Sequence, residues 1–204
     1  MKILSGKCKD FPFTTSVTQN ISGYKPTKSI VKEAVFNILH NSGIVLKDSN
    51  FLDVCAGTGA CSFEALSNGI DAVTMIEMDG RVYSQILKNV ERFIKAYAEF
   101  GNSIEVIRGD FQNIIPNLRK TYDVLYFDPP YEHSINAIEC MLMLLRSFSF
   151  MREEGMIFYE IPSSATSAII EMLANCRAKI RDVKQKKYGD TTLIRMIYRL
   201  NALS

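Results

Sequence analysis

Phe51-Leu52-Asp53-Val54-Cys55-Ala56-Gly57-Thr58-Gly59 reads as a short, mostly apolar β-strand that runs into a turn built on two glycines. A helical pattern follows from about Cys61 and stops at Asn68-Gly69, where glycine serves as the C-terminal cap. Strand, glycine turn and helix form the opening unit of a parallel α/β sheet. The turn also has a chemical use. Glycines let backbone amides approach a ligand closely, and the start of a helix favours anionic groups.

Downstream, β-rich and helical patterns alternate. Strands are expected at Ala72–Glu77, Ile104–Arg108, Tyr122–Phe127 and Gly155–Ile161. Helices are expected at about Gly80–Phe100, Phe111–Leu118 (interrupted by Pro116), Ile135–Ser147 and Ser163–Ala174. Tyr122–Phe127 is apolar except for Asp123, the mark of a central strand buried on both faces. The rhythm breaks at the end, where Ala178–Lys187 and Thr192–Leu200 read as two strands joined by Tyr188-Gly189-Asp190-Thr191, a hairpin. The expected architecture is therefore α/β: a doubly wound, mostly parallel, seven-stranded sheet closed by an antiparallel hairpin. Residues 1–50 read as a small basic extension, with a strand-like start at Ile3-Leu4, a polar loop to Gly23 and an amphipathic helix after Pro26. Residues 51–204 read as the main Rossmann-like domain.

At 204 residues with 47% hydrophobic and 23% charged residues, the chain has the composition of an ordinary single globular domain. Its apolar runs fall far short of a membrane span, and Met1–Lys7 lacks a signal-peptide core. Five scattered cysteines without a CxxC, and only two histidines, point to a reducing cytoplasm and to no metal site. Net charge is +2 but unevenly placed: residues 1–50 sum to +4, 51–176 to −8 and 177–204 to +6. Basic flanks on an acidic centre suit a catalytic body that grips a polyanion; they equally suit an edge strand blunted by lysines.

Two cofactors compete for the glycine turn. Gly57-Thr58-Gly59-Ala60-Cys61-Ser62 approaches the dinucleotide fingerprint, but Ser62 replaces its third glycine. Asp53, inside the strand, would repel a pyrophosphate and attract the cationic charge of S-adenosylmethionine, which favours the latter over NAD. Glu77, ending the second strand, suits ribose hydroxyls in either case. Asp79 reads as the cap of the next helix, while Asp110 suits an adenine edge or a helix cap equally. Asp128-Pro129-Pro130-Tyr131 follows the most apolar strand, at the end where open α/β sheets bind ligands. The Asp128 carboxylate and the Pro129 carbonyl can accept the two hydrogens of an amine on a flat base, and the Tyr131 ring can stack on it. That arrangement aims the nitrogen at a methyl donor and steadies the charge that develops. His133 reads as a loop residue, and Cys55 and Cys61 as packing.

These residues resemble the bacterial 16S ribosomal RNA guanine-(N2)-methyltransferases of the RsmD type. The likeness runs through Met1–Lys7, Lys25-Pro26-Thr27, Val31–Leu39, Phe51–Gly59, Phe63–Gly69, Ile76–Asp79 and Phe127–Tyr131. It implies a class I S-adenosylmethionine-dependent methyltransferase acting on the exocyclic amine of a guanine in 16S ribosomal RNA or an assembling small subunit. Asp128, Pro129, Pro130 and Tyr131 would then be catalytic. Asp53, Ala56, Gly57, Gly59, Glu77, Met78, Asp110 and Phe111 would bind the cofactor, and Lys25, Pro26 and Thr27 the RNA. Two departures bear on docking: Lys25 stands where the family usually has arginine, and Lys9–Thr14 lacks its basic run. The rivals are an adenine-N6 or protein-glutamine methyltransferase, an NAD-dependent oxidoreductase, and a non-catalytic RNA-binding or assembly factor.

Overall fold

The computed structural model describes residues 1–15, 28–175 and 179–199. In chain order its elements are α1 (Ser29–His40), β1 (Asn50–Val54), α2 (Ala60–Ser67), β2 (Ala72–Glu77), α3 (Gly80–Ala96), β3 (Ile104–Arg108), α4 (Phe111–Ile114), β4 (Tyr122–Phe127), α5 (Ser134–Ser147), β5 (Met151–Pro162), α6 (Thr166–Asn175), β6 (Ile180–Tyr188) and β7 (Thr191–Tyr198). They build one seven-stranded sheet in the order β3-β2-β1-β4-β5-β7-β6. The first five strands in chain order run parallel, and β7 is antiparallel to both β5 and β6. This is the expected doubly wound sheet with its closing hairpin.

The periodicity of each element explains its place. β4 buries nearly every residue and lies mid-sheet. α1 buries Val31, Val35, Phe36 and Leu39, and stacks Phe36 on Phe51 of β1 with ring centroids 6.4 Å apart. Each such large apolar side chain stabilises the fold by about 2 kcal/mol. Apolar residues of α1, α2 and α3 pack on one face of the sheet, and those of α5 and α6 on the other. Ile3, Cys8 and Phe13 from the first residues join the α1–α3 side of the core.

Several boundaries differ from expectation. α3 ends at Ala96, and a separate 3-10 turn, Ala98–Phe100, follows. Tyr97 leaves helical geometry to join an aromatic cluster with Phe11, Phe93 and Phe100. β5 starts four residues before Gly155, because exposed Arg152–Glu154 continue the strand beyond the apolar run. The strand-like start at Ile3-Leu4 is reduced to an isolated bridge between Lys2 and Pro12. Ala178 and Leu200, the outer ends expected for the last two strands, lie outside the described residues, as does the expected loop from residue 16 to Gly23. No helix among the described residues is long and apolar enough to cross a membrane.

Candidate active site

The chain winds from β1 outward through β2 to β3, then returns to place β4 on the other side of β1. That reversal opens a crevice at the carboxyl ends of β1 and β4, where sheets of this kind bind ligands. Val54 pairs with Phe127, so the glycine turn and the Asp-Pro-Pro-Tyr segment leave the sheet side by side. The Asp128 N–H donates to the Val54 carbonyl at 3.3 Å. Between them lies a cleft of about 470 Å³.

Most of the expected residues meet in this cleft. Asp53, Ala56, Glu77, Met78, Asp110, Phe111 and the whole of Asp128–Tyr131 line it. Gly57 and Gly59 do not; they shape the wall. The Gly57 N–H donates to Glu77 Oε2 at 3.0 Å, and the Asp79 N–H donates to Glu77 Oε1 at 2.8 Å, so one carboxylate locks the turn to the end of β2. Gly59 has φ +75°, and a Cβ there would stand 3.0 Å from both Met75 Sδ and Phe63 Cε2. Asp79 caps α3, accepting from the N–H groups of Arg81 and Val82. Asp110 both caps α4, accepting the Gln112 N–H at 2.9 Å, and faces the cleft. Lys25, Pro26 and Thr27 lie outside the described residues.

The electrostatics are one-sided. Asp53, Glu77, Asp79, Asp110, Asp128 and Glu132 line the cleft, and no lysine or arginine among the described residues does. Burial pushes the Asp53 carboxyl up to about 7, against the opposing pull of hydrogen bonds from Ser62. Burial also raises Glu77, and the N–H donors of Asp79 and Gly57 restrain the rise. Such a cavity welcomes a cation and repels a pyrophosphate. The Cys55 and Cys61 thiols are pushed well up by burial and by nearby carboxylates, which leaves them protonated and poor nucleophiles. His133 ends a 3-10 turn, Tyr131–His133, with Glu132 beside it at 3.5 Å on the surface.

In the Asp-Pro-Pro-Tyr segment the two proline carbonyls differ. The Pro130 carbonyl accepts the His133 N–H at 2.9 Å, whereas no hydrogen bond among the described residues uses the Pro129 carbonyl. Tyr131 is half-buried, its hydroxyl 2.6 Å from Thr191 Oγ1.

The model of the family described as conserved hypothetical protein 95 matches residues 1–197. The chain belongs to that family. A curated relative from Haemophilus influenzae, named ribosomal RNA small subunit methyltransferase D, is 33% identical over 141 residues, covering 69% of each chain. Its namesake from Escherichia coli K12 is 30% identical over 138 residues, which is 68% of this chain and 64% of that relative, a little under two thirds of its length. A solved Escherichia coli structure, yhhF, carrying a provisional methyltransferase name, superposes with TM-score 0.76 at 23% identity over 98% of this chain and 99% of that one. The relatives carry the name of the RsmD family that the motifs resemble, and the yhhF match carries the same fold.

Sequence reasoning missed Thr58, Cys61, Gln112, Tyr126 and Asn136 in the cleft lining. Tyr126 had a usable signal: it stands two residues before Asp128, on the same side of β4. Thr58 sits in the glycine turn itself, and Cys61, Gln112 and Asn136 reach the cleft from α2, α4 and α5.

Proposed function

We propose that the chain is an S-adenosylmethionine-dependent methyltransferase acting on the exocyclic N2 amine of a guanine in 16S ribosomal RNA. One observation carries the reading: an acidic cleft without a lysine or arginine in its described lining joins the glycine turn to Asp128-Pro129-Pro130-Tyr131. The donor set fits this cofactor. Asp53 suits the ammonium end, Glu77 the ribose hydroxyls, and Met78, Asp110 and Phe111 the adenine. NAD fits poorly, because its pyrophosphate would meet six carboxylates and no lysine or arginine in the described lining.

When bound, S-adenosylmethionine supplies an electrophilic methyl group. The protein's part is to present the nucleophile. The Asp128 carboxylate and the Pro129 carbonyl each accept a hydrogen from the guanine amine, which turns the nitrogen lone pair out of conjugation with the ring. Tyr131 stacks on the base. As the nitrogen gains positive charge, Asp128 is already in place to stabilise it. The cleft carboxylates keep phosphate out, so the target base enters alone, flipped from its stack. The partner is ribosomal RNA or an assembling small subunit in the cytoplasm, and Lys25-Pro26-Thr27 would contact its backbone.

Incubation with tritiated S-adenosylmethionine and RNA, DNA or protein tests the reading. Label confined to guanine of RNA is expected; label only in DNA, adenine or protein would replace it with one of its rivals.

A further inference from the structure

We infer that Glu160 is a positioning residue of the base pocket, a buried carboxyl that holds the hydroxyls of two cleft-lining tyrosines, Tyr126 and Tyr131, from behind. The inference rests on the methyl-transfer reading above. Phe127 pairs with Tyr159 across β4 and β5, so Glu160 lies beside Asp128 as the two strands leave the register. Glu160 is only 2% exposed, and it does not line the cleft. The Tyr126 hydroxyl donates to Glu160 Oε2 at 2.5 Å. The Tyr131 hydroxyl meets Thr191 Oγ1 at 2.6 Å and lies near enough to the same carboxyl to pull it down against the rise that burial causes. Thr191 opens β7 directly after the Gly189-Asp190 turn, and Lys28 at the start of α1 pairs with Asp190.

A buried carboxyl is costly unless its partners satisfy it, and an apolar side chain would fill this space more cheaply. What the carboxyl adds is a common acceptor for two phenols. Tyr131 is the ring assigned to stack on the base, and Tyr126 walls the same cleft beside Asp128. Fixing both hydroxyls fixes where the rings stand, which matters because small displacements of a positioned group cost rate steeply. Glu160 touches neither base nor cofactor and acts through the tyrosines.

Glu160→Gln tests this, because it preserves volume but offers an amide N–H toward one phenol hydrogen. With ribosomal RNA as substrate, kcat is expected to fall about tenfold and KM for RNA to rise, while calorimetric affinity for S-adenosylhomocysteine stays within about twofold. In a Tyr126→Phe/Tyr131→Phe background the same substitution should add no further loss, since no phenol hydrogen remains to be misdirected. Should Glu160→Gln fail to fold, Glu160→Leu in that background removes all three polar groups together and should match the double phenylalanine variant in kcat. Wild-type kinetics in Glu160→Gln, a loss repeated in full in the phenylalanine background, or a kcat for the Leu variant below that of its background would each overturn the inference while the wild type remains active. An inactive wild type would instead strike the methyl-transfer reading itself.

Discussion

Binding of S-adenosylhomocysteine should strengthen as pH rises from 6 to 8, and Asp53 should be the cause. Asp53 is 2% exposed, and burial pushes its carboxyl up to about 7, so the ligand-free protein holds it mostly protonated at pH 6. An ammonium group beside it favours the ionised form, so binding at low pH must expel a proton. With a free-state value near 7, the ionised fraction is about one in eleven at pH 6 and about ten in eleven at pH 8, which makes affinity about tenfold weaker at pH 6. Calorimetry in two buffers of different ionisation heat reads this directly: nearly one proton released per site at pH 6 and almost none at pH 8. Stability runs the opposite way with pH. A carboxyl raised from 3.8 when folded favours the ligand-free fold most below that value, and this contribution is lost as pH climbs through about 7. Asp53→Asn should flatten both profiles. Affinity that is flat between pH 6 and 8, or a slope that survives Asp53→Asn, would refute the assignment of the cofactor's cationic end to Asp53.

Three stability predictions follow from the framework of the site. Gly59→Ala forces a side chain into the left-handed region and against Met75 and Phe63, and should lower unfolding free energy in urea by about 2 kcal/mol or more. Glu64→Ala removes the acceptor of the Leu4 and Ser5 N–H groups and strands the buried Lys32 ammonium, which lies 3.9 Å from it; about 3–5 kcal/mol should be lost in the same assay. Protease should then clip residues 1–13 faster than the rest of the chain. Asp79→Ala deletes the α3 cap and should cost about 1 kcal/mol, with cofactor affinity little changed.

The sheet was legible because its signals are local. Val124–Phe127 is an unbroken apolar run, and Gly57 and Gly59 mark the first turn whatever the rest of the chain does. The meeting of Asp53 with Asp128 also followed from sequence, since both motifs end strands of one parallel sheet. Three features did not follow, and each depends on a partner distant in the chain. Glu64 looks like an ordinary charged helix residue, yet it is buried by the Leu4-Ser5 backbone 59 and 60 residues away. Glu160 meets Tyr126 across 34 residues, a contact that only strand register reveals. The early start of β5 rests on polar Arg152–Glu154, where Arg152 pairs with Asp123 and Glu154 adopts φ +63°. The charge pattern was read more loosely: β6 is the sheet's edge, with Arg181 paired to Glu154 and Lys184 to Asp182. Part of its positive charge is therefore met within the protein.

Nucleoside mass spectrometry of 16S ribosomal RNA tests the account most directly, in cells that lack this protein and carry either the wild-type gene or Asp128→Ala. One N2-methylguanosine should disappear with the gene, return with the wild type, and stay absent with Asp128→Ala even though that protein still binds S-adenosylhomocysteine. Restoration of the mark by Asp128→Ala, or an unchanged set of methylated guanosines when the gene is missing, would contradict it.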